Sequence, residues 1–147
     1  MPSKADIQFC FEGVSHRLTD VNAIKDWIRM VCKSEKKSIY NLVYVFCDDE
    51  YLLNINKTYL NHNDYTDIIT FDLSDGGKLD GKLDGEIYIS LPRVKENAKT
   101  YKTKFPDELH RVIIHGVLHL LGYDDRTEKS KMEMRIREDE LLLKRRL

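Results

Sequence analysis

The sequence predicts an α+β fold: a small mixed β-sheet of about four strands with about five helices, and a metal site on a central apolar helix. Three observations predict it. Runs of β-branched and aromatic residues are interspersed with segments of helical periodicity. Some neighbouring strands are joined by helices and others by hairpin-length loops. No linker divides the chain, so residues 1–147 are read as a single domain.

Ile7-Gln-Phe-Cys-Phe11 alternates loosely and reads as the first strand. Thr19 is placed to cap a helix in which Ile24, Trp27, Ile28 and Val31 recur at helical spacing. Ser38 to Phe46 carries Ile39, Val43, Val45 and Phe46 and reads as the second strand. Asp48 or Asp49 caps a helix holding Leu52, Leu53, Ile55, Asn56 and Tyr59. Thr66 to Leu73 is the third strand, and Glu86 to Leu91 returns as the fourth. Between them, Ser74 to Gly85 repeats GKLD at 77–80 and 81–84, too short for a structural repeat, and reads as a hairpin loop tip.

Pro92 opens a polar helix with Arg93, Lys95, Lys99, Lys102 and Lys104 in or just beyond it. Pro106 resets the chain and Asp107 caps the most apolar helix, Glu108 to Leu121, which Gly122 ends. A last helix, about 127 to 145, carries an apolar stripe of Met132, Ile136 and Leu142 or Leu143.

Composition narrows the class. With 41% hydrophobic and 33% charged residues the chain has enough apolar material for a core, which argues against disorder. At this length roughly 70% of the unfolded surface is buried without disulfide staples. No apolar run is long enough for a membrane span or a signal peptide, so the expectation is a cytoplasmic protein with no membrane partner. Cys10, Cys32 and Cys47 sit among apolar residues with no C-x-x-C spacing and read as small hydrophobes in a reducing compartment. Net charge is −1, which does not argue for nucleic acid and leaves a local basic patch open.

The chemistry concentrates in His115-Gly-Val-Leu-His119-Leu-Leu-Gly-Tyr-Asp-Asp125. Histidines at i and i+4 point the same way, one turn apart, at the spacing that lets two imidazoles grip one zinc ion. Gly122 breaks the helix just after the pair, so the chain turns back and Asp125 is placed to supply the third ligand. Two histidines and a carboxylate leave a fourth position for water, the open arrangement of a catalytic rather than a structural zinc. Glycine within a helix costs about 1 kcal/mol against alanine, so Gly116 marks a close approach by backbone or substrate. Blander readings stand beside this one. The helix is a core helix with two satisfied histidines and no metal, or Asp125 caps the last helix through the Asp125-Arg-Thr-Glu128 spacing.

This segment resembles the signature of the YbeY-type endoribonucleases, the bacterial ribosomal-RNA maturation factors. Leu53-Asn54, Tyr59, Thr66-Asp-Ile-Ile-Thr-Phe71 and Gly85-Glu-Ile-Tyr-Ile-Ser90 resemble further motifs of that family, in the same order. The resemblance implies a zinc-dependent, single-strand-specific endoribonuclease with one ion per chain. It implies action at the 3′ end of 16S rRNA and in late ribosome quality control, with the small ribosomal subunit or its proteins as partners. It maps the metal ligands to His115, His119 and Asp125. Two positions depart from the pattern. Asp125 stands where the family has histidine, which keeps a ligand, adds a negative charge and leaves another divalent ion open. Leu60 stands where the family has an arginine suited to phosphate, and His62 or a cation of the 93–104 helix is the candidate replacement.

Glycine at 116 removes the glutamate of the H-E-x-x-H metalloproteases, which argues against a peptidase. Asp67 is the nearest motif carboxylate: it serves the active site, or it caps or orients strand residues. RNA is expected between the Thr66–Phe71 strand and the metal helix, with Arg93, Lys95, Lys99, Lys102 and Lys104 neutralising phosphates or forming a solvated face. Tyr59, Tyr65 and Tyr123 stack on bases or are buried. The alternative function is a ribosome-assembly RNA- or protein-binding factor with a structural metal and little nuclease activity. A metal-dependent hydrolase of another substrate is a further rival.

Overall fold

A computed structural model describes residues 6–16, 18–74 and 81–147. Among them β1 (Ile7–Glu12), β2 (Ser38–Cys47), β3 (Ile68–Asp72) and β4 (Lys82–Ser90) form one sheet in the order β1-β2-β4-β3. β1 and β4 each pair parallel to β2, and β3 pairs antiparallel to β4. The helices are α1 (Val21–Ser34), α2 (Asp49–Leu60), α3 (Leu91–Thr100), α4 (Phe105–Leu120) and α5 (Glu128–Leu143). This is the expected mixed sheet with five helices. The first GKLD copy lies outside the described residues, and the second enters β4 at Lys82.

The alternation of the two central strands decides where the helices pack. Leu42, Tyr44 and Phe46 of β2 and Ile87 and Ile89 of β4 are fully buried in the main core, with α1, α4 and residues of α5. The opposite face carries a smaller cluster of Cys47, Leu52 and Ile69 under α2. Two buried hydrogen bonds pin the main layer. The Tyr44 hydroxyl donates to the Ile113 carbonyl of α4 at 2.9 Å, and Trp27 Nε1 of α1 donates to the Leu141 carbonyl of α5 at 3.0 Å.

Several local expectations need correction. The N-cap of α1 is Asp20, in the left-handed region at φ 58° with no side-chain cap, so Thr19 has no capping role. Pro106 lies inside the first turn of α4, where its missing N–H costs nothing, and Lys104 rather than Asp107 is the cap residue. Thr127 caps α5 reciprocally with Ser130, which leaves Asp125 free of that task. In α5, Met132, Ile136 and Leu143 are exposed, and the buried face is Met134, Glu138 and Leu141. Cys10 is exposed on the edge strand β1, while Cys32 and Cys47 are buried as expected.

Candidate metal centre

Helix α4 runs across the sheet, and its apolar face fixes the orientation of the histidine face. A Cβ built on Gly116 would come within 2.8 Å of Ile87 Cδ1 and 3.2 Å of Ile68 Cδ1. The close approach is therefore to the side chains of β4 and β3, not to substrate. It presses the turn carrying His115 and His119 against the sheet. At its end, Gly122 takes φ +105° and Tyr123 N–H bonds back to the Leu118 carbonyl, which reverses the chain. The Tyr123 hydroxyl is anchored on Glu35 at 2.7 Å, so the returning segment is held from outside.

The reversal brings Asp125 to the histidines. His115 Nε2 and His119 Nε2 lie 3.0 Å apart, and Asp125 Oδ2 lies 3.5 Å and 3.6 Å from them. A tetrahedron of donors about 2.0–2.1 Å from a central ion has edges of roughly 3.3 Å, so the triangle fits a zinc-sized cation. The donor chemistry fits as well. His115 Nδ1 faces Glu138 Oε2 at 2.6 Å, and the Tyr123 main chain lies near His119. If both imidazoles carry their proton on Nδ1, two bare Nε2 lone pairs face each other across 3.0 Å, an arrangement a cation relieves.

Electrostatics separates the two rings. Burial works to lower the His115 pKa, but the Glu138 hydrogen bond and the charges of Glu138, Asp125 and Asp67 prevail and raise it. Burial, then the neighbouring His115, lowers that of His119. Burial likewise raises Asp67, whose Oδ2 accepts from Asn97 at 3.3 Å.

Two concavities meet at the triad. One, of about 530 Å³, is walled by β3, Asn56, Leu60, His62 and Asp64. The other, of about 420 Å³, is walled by α3, α4 and α5. His115, Asp125, Asp67 and Ile68 border both, so the ligand set stands on the ridge between them. A larger concavity of about 730 Å³, between α1 and the end of α5, is lined by Trp27, Met30 and Leu143 and includes none of the triad.

The Endoribonuclease YbeY family profile matches residues 12–146. The chain belongs to the YbeY endoribonuclease family. It is 48% identical over 133 residues to an Endoribonuclease YbeY of Cytophaga hutchinsonii, covering 90% of this chain and 91% of that protein. It is 53% identical over 133 residues to the one of Karelsulcia muelleri, with the same coverage. Among solved structures, it is similar to the solution structure of TM1509 from Thermotoga maritima, with a TM-score of 0.64 and 26% identity over 92% of this chain and 86% of that one.

Asp125 and Leu60, read from the sequence as departures from the family pattern, both line the β3 concavity. Asp125 occupies the third corner of the triangle, and Leu60, 41% exposed, lines the β3 concavity with His62. The cations of α3 and of the turn after it are placed elsewhere. Arg93 is paired with Asp49 at 2.8 Å and lies over the Tyr65 ring, and Lys95, Lys99, Lys102 and Lys104 line neither concavity beside the triad. Tyr59 and Tyr65 are exposed rather than buried, and Tyr123 is half-buried.

Sequence reasoning missed Glu138, Arg111 and Glu108. Glu138, 5% exposed, accepts from Arg111 at 2.8 Å as well as holding His115. One signal was available. Arg111 precedes His115 by four residues on the same helix face, and a cation there requires an acidic partner from a facing helix.

Proposed function

We propose that this chain, working as one domain, is a zinc-dependent endoribonuclease specific for single-stranded RNA. Its substrate is the 3′ region of 16S rRNA, in maturation and late ribosome quality control, met in the cytoplasm on the small ribosomal subunit or its proteins. The observation that carries this reading is the triangle of His115, His119 and Asp125 on the ridge between two open concavities. The family to which the chain belongs gives the reaction class.

One zinc ion held by His115, His119 and Asp125 would supply Lewis acidity toward a phosphate oxygen and activate a coordinated water near neutral pH. The protein's own groups do the rest. Glu138 fixes the His115 ring and its tautomer, and Arg111 holds Glu138 in turn. Asp125 brings a negative charge that a third histidine would not, which biases the site toward ions that favour oxygen donors. Asp67 borders both concavities, and its raised pKa suits it to hold or accept a proton beside the scissile phosphate. His62 meets phosphate in the β3 wall, and Arg93, Lys95, Lys99 and Lys102 form an outer cationic surface beyond the cleft. Gly116 packs on Ile87, so a metalloprotease glutamate has no room there.

The test is incubation of zinc-loaded protein with a single-stranded RNA of the 16S 3′ region, beside the same sequence in duplex. Cleavage of the single strand alone is expected, and equal cleavage of both overturns the specificity. Leu60 favours a second reading, an assembly factor with a structural metal. Stoichiometric metal with no cleavage of either RNA selects it.

A further inference from the structure

The concavity of about 420 Å³ between α3, α4 and α5 contains one carboxylate that the fold does not account for. Glu108, in the first turn of α4, is 6% exposed, and its carboxylate makes no hydrogen bond or ion pair with any described residue. Its oxygens are not among the sealed, unpartnered polar atoms of the described residues, so they open onto the concavity, where a ligand's donors would take the place of water. The other carboxylates bordering this space are engaged: Asp67 accepts from Asn97, Glu138 from Arg111 and His115, and Asp125 faces the two histidines. Opposing charges help but do not bond. Arg111 and Arg135 act on Glu108 only at a distance.

Three further residues say what the space would take. Tyr101, just past α3, borders it and is 59% exposed, a free aromatic face. Lys131 and Arg135 of α5 line the same space. Its volume falls in the range of small-molecule sites, roughly 300–1,000 Å³. An aromatic plane, an unpaired acceptor on the wall, two cations and an adjacent ligand triad together describe a nucleotide.

We infer that this concavity is the subsite for the nucleoside next to the scissile phosphate, and that Glu108 makes it select guanine. The inference rests on the ribonuclease reading above and names the base that reading leaves open. An ionised carboxylate only accepts hydrogen bonds. Guanine alone presents two adjacent donor groups on its pairing edge, N1–H and N2–H₂, which the two carboxylate oxygens accept in parallel. Adenine, cytosine and uracil each offer one donor group beside an acceptor that a carboxylate repels. Tyr101 stacks on the extruded base, as aromatics do in single-stranded RNA recognition. Lys131 and Arg135 meet its flanking phosphate.

The experiment is fluorescence anisotropy with His119→Ala protein, which keeps RNA intact. The probes are a labelled oligouridine with one central guanosine and the same oligomer with adenosine, at fixed salt. Binding of the guanosine oligomer is expected to be about tenfold tighter. Adding Glu108→Gln is expected to bring the two within about twofold, and adding Tyr101→Ala to weaken both. Equal binding of the two oligomers before any change at Glu108 overturns the inference, as does a guanosine preference that survives Glu108→Gln. If Glu108→Gln does not fold, the base series and the exposed Tyr101→Ala decide it. Guanosine-selective binding with no cleavage by wild type would remove the nuclease reading and keep the subsite. Cleavage without guanosine preference would do the reverse.

Discussion

His115 Nδ1 and Glu138 Oε2 lie 2.6 Å apart, joining the first histidine of the triad to a buried carboxylate of α5. The pair fixes which imidazole nitrogen faces the ridge. Glu138→Gln keeps the volume and the link to Arg111 but weakens the acceptor for the His115 proton. Partners of this kind are typically worth 10–100-fold in metal affinity. Zinc affinity is therefore expected to fall by about that factor in competition with a chromophoric chelator. An unchanged affinity would mean that Glu138 only packs.

Gly116 and Ile87 give the second prediction. A methyl at 116 meets two Ile87 atoms at 2.8 and 2.9 Å, and Ile87 is fully buried with little freedom to yield. Overpacking of this kind costs about 1–3 kcal/mol, against about 1 kcal/mol gained in helix propensity. Gly116→Ala is expected to lower Tm by a few degrees and to weaken zinc binding, since the same turn carries both histidines. A variant as stable as wild type would show that α4 can lift from β4 without loss.

At Leu60 the prediction is a gain. The side chain is 41% exposed on the wall of the β3 concavity, so arginine fits without disturbing the core. Leu60→Arg is expected to tighten single-stranded RNA binding and to steepen its salt dependence by about one counterion. A titration across salt concentrations reads both. Unaltered slope and affinity would place bound RNA away from that wall.

His110 sets a pH dependence of stability apart from the ridge. Burial, then the charge of Arg145, whose Nη1 lies 2.6 Å from His110 Nδ1, pushes its pKa down to about 4. An unfolded histidine titrates near about 6.5. Between those values the unfolded chain binds more protons than the folded one, so this group's contribution is lost as pH falls from about 6.5 to about 4. Thermal melts across that window should show a shallower pH slope for His110→Gln than for wild type. Parallel slopes would remove His110 from the account.

How much was legible beforehand follows from where the decisive contacts lie. The β2 alternation and the apolar face of α4 are local patterns, and the order and type of the elements follow them, but β4 begins at Lys82 inside the stretch read as a loop tip and ends at Ser90, with Leu91 already in α3. The histidine spacing, the helix break at Gly122 and the returning Asp125 are local too, and the three side chains meet. In α5 the pattern is ambiguous, because Met132/Ile136/Leu143 and Met134/Glu138/Leu141 both fit helical spacing. Burial chose the second set, since Glu138 serves His115 and the Leu141 carbonyl serves Trp27. Those partners lie 23 and 114 residues away, out of reach of any local rule. Cys10 was misread for a similar reason. An apolar neighbourhood in sequence does not reveal that β1 is an edge strand. Gly116 signalled a close approach correctly, and only the fold identifies the neighbour as Ile87.

The central claim is that the triangle of His115, His119 and Asp125 holds the ion on which RNA cleavage depends. The most direct measurement pairs metal analysis with cleavage of single-stranded 16S 3′-end RNA, on wild type, His119→Ala and chelator-treated protein. The account predicts about one zinc per chain and cleavage in wild type, loss of both in His119→Ala, and recovery of cleavage when zinc is returned to the chelated protein. Cleavage by His119→Ala at the wild-type rate, or by chelated protein that holds no metal, would contradict it.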